Sequence, residues 1–135
     1  MKYKAIFISD VHLGSSSSSP KKINKFLKEN EFEKIFLVGD IIDIWAIKRK
    51  LHWQKEHNEF LRIILKLSKK MPVTYIIGNH DEEFMQFNQQ NFGNIIFKEQ
   101  DIIKVNEKKY VVIHGQQFDG PFIKNYKNLQ TDFLV

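Results

Sequence analysis

The sequence predicts an α/β fold of packed β-sheets flanked by helices, and three observations predict it. Short apolar runs rich in Ile, Phe and Val alternate with stretches of helical periodicity. Each of these runs ends at Asp, Asn, His or Gly instead of a tight reversing turn, as strands do when they feed loops along one rim of a parallel sheet. Two further apolar runs then follow with no helix between them, which predicts a second layer of strands.

In chain order, residues 4–9 form a run containing Ile6, Phe7 and Ile8 that stops at Asp10 and His12, so a buried strand feeds a loop. Residues 15–19 are all serine, a low-complexity tract expected to be a mobile loop. Pro20 suits the first turn of a helix whose Ile23, Phe26 and Leu27 share one face. Residues 34–38 are a second strand, ending at Gly39-Asp40 with Asp43 close behind. Residues 54–70 carry Phe60, Ile63, Ile64 and Leu67 at helical spacing, and Pro72 ends that helix. Residues 73–77 are a third strand, stopping at Gly78-Asn79-His80-Asp81. A helix over 82–90 and a turn at Gly93-Asn94 precede two β-like runs, 95–105 (broken near Glu99) and 109–113, the second leading into His114-Gly115. The whole of 1–135 is expected to be one domain, a size that suits a single core.

Composition narrows the chemistry. With 42% apolar and 27% charged residues the chain can bury a core. It has no cysteine, which excludes disulfides and thiolate zinc sites and suits a reducing cytoplasm. No apolar run approaches the ~18 residues of a spanning helix. The formal charge of +5 favours anionic partners without choosing among them.

The strand ends carry the functional signal. At Asp10 and His12, at Asp40, at Asn79 and His80, and at His114, an apolar run gives way to metal-ligand residue types. Ligands of open α/β sheets bind outside the carboxyl ends of the strands, so these residues are expected to share one rim. Asp10 and His12, two apart on an extended segment, would point to the same side and chelate one ion. Asp40 has the chemistry to bridge two ions. Mixed N/O ligation suits Mn²⁺, Fe or Zn²⁺ and argues against copper(I) and calcium. Taken singly, any of these Asp or Asn residues is also compatible with an ordinary turn or cap.

Asp10-Val11-His12, Gly39-Asp40-Ile41-Ile42-Asp43, Gly78-Asn79-His80-Asp81 and His114-Gly115 resemble, in order, four of the five signature blocks of the calcineurin-like metallophosphoesterase superfamily. The stretches Asp40 to Trp45, Glu56-His57-Asn58 and His114-Gly115-Gln116-Gln117-Phe118-Asp119-Gly120 resemble the branch related to UDP-2,3-diacylglucosamine pyrophosphatase. The resemblance implies a metallophosphoesterase-like fold and a hydrolase of phosphoesters or pyrophosphates that uses two divalent metal ions, Mn²⁺ first with Fe or Zn as alternatives, and a bound water. It implies that Asp10, His12 and Asp40 hold one ion and Asp40, Asn79 and His114 the other. His80 would act at the leaving oxygen, with Asp81 as its orienting partner. The substrate implied is a phosphorylated small molecule or a nucleotide-linked lipid, with peripheral contact at the inner membrane.

The fifth block, a G-H-x-H, is absent, and no histidine follows His114. A C-terminally truncated domain is therefore expected. An inactive remnant, a nuclease or phosphodiesterase, and an oligomer whose second copy completes the site stand as alternatives, nucleic acid ranking below the small-molecule substrates. Asp43 reads as a helix cap or a support for a ligand. His52 and His57, five apart, share no helical face and are expected to be exposed. Trp45, Trp53, Phe84 and Phe87 are expected to fill core. Lys21, Lys22, Lys48, Arg49, Lys50, Lys69 and Lys70 read as a solvated face.

Overall fold

The computed structural model of the chain describes residues 1–115 and the strand Asp132–Leu134. The 116–120 part of the last resemblance block lies outside the described residues. Ten strands and three α-helices are found there: β1 (Lys2–Tyr3), β2 (Ile6–Ile8), α1 (Lys21–Glu29), β3 (Glu31–Phe32), β4 (Ile35–Val38), α2 (Ile44–Arg49), α3 (Lys55–Ser68), β5 (Val73–Ile76), β6 (Asn91–Phe92), β7 (Ile95–Lys98), β8 (Asp101–Val105), β9 (Lys108–Val112) and β10 (Asp132–Leu134).

The main sheet has the order β2-β4-β5-β7-β6 and is parallel except for β6, a short return strand against β7. A second sheet, β10-β9-β8, is built on the β8–β9 hairpin. Its turn uses Asn106 and Glu107 at φ 50° and 69°, the left-handed pair that a two-residue hairpin needs.

Every residue of β4 and β5 is buried, because both faces of the main sheet are covered. One face carries Ile35, Leu37, Val73 and Tyr75 and packs under α1 and α3 through Leu27, Phe60 and Ile64. The other face carries Phe36, Val38 and Ile76 and meets Val112 and Ile103 of the second sheet. The alternation along each strand thus splits one apolar run between two cores. Each such fully buried side chain contributes about 1.5–3 kcal/mol.

Helix α3 buries His57, Phe60, Ile64 and Ser68, one continuous helical face. Helix α1 meets it partly through Asn24, whose amide donates to Glu56 O at 3.0 Å. The expected helix at 82–90 is instead a 3₁₀ helix, Glu82–Phe87. With about three residues per turn, Phe84 and Phe87 fall on one side and join Tyr75, Phe92 and Phe97 in an aromatic cluster. Those two phenylalanines are half-buried, whereas Trp45 and Trp53 are 40% and 37% exposed and so do not fill core as expected. The seven basic residues of the expected solvated face are all exposed. No helix among the described residues is long and apolar enough to cross a membrane.

Candidate metal centre

The site forms where β2, β4, β5 and β9 end. Past the strand ends the chains stay zipped: Asp10 N donates to Gly39 O, His12 N to Asp40 O and Leu13 N to Ile41 O, at 3.1, 2.9 and 2.8 Å. The loop after β2 is thereby locked in register with the loop after β4. Asp10, His12 and Asp40 hold left-handed backbone at φ 56°, 51° and 53°, a conformation costing about 1–2 kcal/mol for a residue with a side chain. Such cost is tolerated where a function fixes the side-chain directions.

These backbone bends correct the expected route to chelation. Asp10 and His12 do meet, His12 Nε2 lying 3.4 Å from Asp10 Oδ1. They meet through left-handed turns at both residues and not through an extended segment.

Four side-chain atoms converge from three loops. His114 Nε2 lies 3.0 Å from Asp40 Oδ2 and 3.9 Å from Asp10 Oδ1. His12 Nε2 lies 3.9 Å from Asp40 Oδ2. Asp10, Asp40 and His114 form one group of potential ligands whose atoms all lie within 4.8 Å of one another. Two glycines make room. A Cβ on Gly39 would fall 2.3 Å from the His114 ring, and one on Gly78 would fall 2.5 Å from Asp40 Oδ1.

Asn79 lies against the same carboxylate. Its amide oxygen faces the Asp40 carboxylate, 3.2 Å from Oδ2 and 3.3 Å from Oδ1, acceptor against acceptor. Turned over, the amide donates to Asp40; left as it stands, it offers an oxygen beside two carboxylate oxygens, which a cation would reconcile. Together with the His12 and His114 rings, this is an N/O donor set of the kind that holds Mn²⁺, Fe or Zn²⁺.

Asp43 organises the histidines. Its Oδ1 caps α2 by accepting from Ala46 N at 2.8 Å and also accepts from His80 Nδ1 at 3.0 Å, while its Oδ2 accepts from His12 Nδ1 at 2.8 Å. Burial pushes this carboxyl up, but the Ala46 N–H and the His80 and His12 rings outweigh burial and hold it below the usual carboxylate range. With Nδ1–H of His12 donated to Asp43, the lone pair of Nε2 points at Asp10 and Asp40. Asp43 with His12 and His80 satisfies the geometry of a second ligand group. Its atoms are already spent on one another and on the helix cap, so its role is orientation.

His80 sits against the same carboxylates. Its backbone N–H donates to Asp40 Oδ1 at 2.8 Å, and its ring packs on Trp45 with centroids 4.1 Å apart. The partner of its ring is Asp43, not Asp81 as expected. Asp81 is fully buried and faces elsewhere: its Oδ1 accepts from Gly78 N (2.6 Å), its Oδ2 from Ile41 N (3.0 Å) and Tyr75 O–H (2.5 Å). It ties the loop after β5 to the loop after β4. Burial raises the Asp81 carboxyl above its ordinary value, and those three donors offset only part of the rise.

His57, expected on the surface, is 1% exposed. The signal was present in the sequence, since His57 precedes Phe60 by three and Ile64 by seven and so lies on the apolar stripe of α3. His52 is half-buried and donates its backbone N–H to Gly14 O at 3.1 Å. Tyr75 was not singled out by the sequence reading, and nothing but its place in the strand before Gly78 distinguishes it.

Residues 3–133 match a family model described as calcineurin-like phosphoesterase. No curated protein gives a match to the chain.

Proposed function

Since the chain belongs to the calcineurin-like phosphoesterase family, metal-dependent hydrolases of phosphoesters, we propose that it cleaves a phosphate ester or pyrophosphate at a dinuclear centre. Asp10, His12 and Asp40 hold one ion in this reading, and Asp40, Asn79 and His114 the other. The observation that carries it is the convergence of His12 and His114 on Asp40, at 3.9 and 3.0 Å, with Asp10 3.4 and 3.9 Å from the same two histidines, from loops far apart in sequence.

The chemistry supplied by the bound ions is activation of a water and neutralisation of charge on the phosphoryl group. The chain's own residues prepare for it. Asp43 fixes the His12 ring so that Nε2 is the ligating nitrogen, and it holds His80 through Nδ1. That leaves His80 Nε2 to serve the leaving oxygen, and it is the imidazolium form of the ring, with a hydrogen on both nitrogens, that would be the proton donor there. Asp81 acts as a buried bracket for the ligand loops rather than as a catalytic group. Mn²⁺ is the ion we favour. Among substrates we place a nucleotide-linked pyrophosphate first, on the resemblance of the Asp40 to Trp45 and Glu56-His57-Asn58 stretches.

Protein supplied with Mn²⁺ is expected to hydrolyse bis(4-nitrophenyl) phosphate or a nucleoside diphosphate sugar, and Asp40→Ala to abolish the activity. Hydrolysis that survives Asp40→Ala refutes this mechanism. A second reading is a weakly metal-binding form that turns nothing over: residues 1–135 themselves offer each ion about three protein ligands, where one imidazole fewer typically costs 10–100-fold in affinity or activity. Mn²⁺ binding without turnover of either substrate would select that reading.

A further inference from the structure

The serine tract, which the proposed chemistry does not use, is held in place from an unexpected direction. The ring of His57, buried under the tract on α3, bonds to the loop at both nitrogens: Gly14 N donates to Nδ1 at 3.3 Å, and Nε2 lies 3.4 Å from Ser18 O. Only one tautomer satisfies both contacts. A backbone N–H cannot accept and a carbonyl cannot donate, so Nδ1 is bare and the hydrogen sits on Nε2. The Trp53 ring stands perpendicular to it, with centroids 5.4 Å apart.

The loop so clamped has little other freedom at its start. Gly14 is at φ 95°, and a Cβ there would fall 2.4 Å from Ile47 Cγ1. Ser15 N donates to His12 O at 3.1 Å, and Ser18 Oγ donates to Val11 O at 2.5 Å. From Ser17 to Ser19 the tract forms one wall of a cavity of about 490 Å³ whose other walls include Asp10, His12, Ile23 and Phe26. That cavity is therefore continuous with two of the proposed metal ligands, and hydroxyl groups and apolar side chains face it together.

We propose that His57 is a positioning residue for substrate: by clamping Gly14 and Ser18 it fixes the serine wall of the cavity beside Asp10 and His12, which receives the organic group of the phosphate ester. The inference rests on the hydrolase reading above. It separates substrate binding, which depends on the wall, from metal binding, which depends on carboxylates and imidazoles that His57 does not touch.

The test compares His57→Leu, which removes both hydrogen-bonding atoms, with His57→Gln, which restores an acceptor and a donor near the ring positions. Each protein is supplied with Mn²⁺ and assayed on bis(4-nitrophenyl) phosphate, with Mn²⁺ affinity measured by calorimetry and exchange of the Gly14 amide followed by NMR. For His57→Leu we expect KM to rise about tenfold with kcat within about twofold, Mn²⁺ affinity unchanged and Gly14 exchange accelerated. His57→Gln is expected to recover most of the KM. Unchanged KM in His57→Leu overturns the inference, as does a joint fall of kcat and Mn²⁺ affinity, which would make His57 a support of the fold alone. A His57→Leu chain that fails to fold passes the decision to His57→Gln, whose KM must then stay within about threefold of wild type for the inference to stand. Failure of the wild type to hydrolyse either bis(4-nitrophenyl) phosphate or a nucleoside diphosphate sugar overturns the hydrolase reading and this inference with it, and is recognised by the absence of any activity to compare.

Discussion

Gly39 and His114 occupy one space: the glycine lacks the side chain that would lie 2.3 Å from the Cγ and Nδ1 of the histidine ring. The ring uses that space to set Nδ1 against Val38 O at 3.0 Å and Nε2 against Asp40 Oδ2 at 3.0 Å. Donation of Nδ1–H to the carbonyl fixes the tautomer that leaves Nε2 bare for a metal. Gly39→Ala should therefore act twice, through left-handed backbone costing about 1–2 kcal/mol and through displacement of the ring. Calorimetric Mn²⁺ titration is expected to show at least a tenfold weaker second site. Unaltered titration would mean that His114 is not a ligand.

Asp43 separates orientation from stability. In Asp43→Asn the amide oxygen still caps α2, because Asn is as good an N-cap as Asp, but the NH₂ group then faces His12 Nδ1. The ring must turn its bare nitrogen toward that donor and place its hydrogen on Nε2, where the ion would bind. We expect Mn²⁺ affinity to fall about 10–100-fold while the melting temperature stays within a few degrees. Asp43→Ala should lose the cap as well, about 1 kcal/mol. Equal Mn²⁺ affinity in Asp43→Asn and wild type would contradict the role given to Asp43.

The Asp81 bracket predicts a stability effect far from any substrate. Asp81→Asn leaves either the Ile41 or the Gly78 N–H facing an NH₂ group in a fully buried place. An unsatisfied buried donor costs about 1–3 kcal/mol. Tyr75→Phe removes the hydroxyl that donates to Asp81 Oδ2 and accepts from Ile42 N, and should cost about 1–2 kcal/mol. Urea denaturation measures both. Neutral substitutions at both positions would remove the bracket from the account.

The way the site is assembled explains how much of it could be read in advance. Alternating helix and strand patterns were legible because β4 and β5 are buried on both faces and so spell continuous apolar runs. The ligand positions were legible because they sit where those runs stop. The short strands β1, β3 and β6 were not, since two residues held by backbone bonds leave no side-chain periodicity. Helix α2 escaped notice because its single buried residue, Ala46, makes no apolar stripe. The choice of Asp43 over Asp81 as partner of His80 depends on loop geometry, and sequence proximity pointed the wrong way.

Metal should stabilise the fold. Ligands that meet only in the folded chain bind an ion tightly only there, so saturating metal adds about 2.7 kcal/mol at a hundredfold excess over Kd. For a domain of this length that corresponds to a rise of roughly 10 °C in melting temperature. Thermal scans with Mn²⁺ and with EDTA check this, and Asp40→Ala is expected to show no difference between the two conditions. A wild-type scan insensitive to Mn²⁺ would argue against a site formed by folding.

The most direct measurement is anomalous X-ray diffraction at the manganese edge from crystals grown with Mn²⁺. Two peaks are expected, one on each side of the Asp40 carboxylate, the first against Asp10 and His12 and the second against Asn79 and His114. Anomalous density elsewhere on the chain, with none beside Asp40, would contradict the dinuclear centre and the hydrolase built on it.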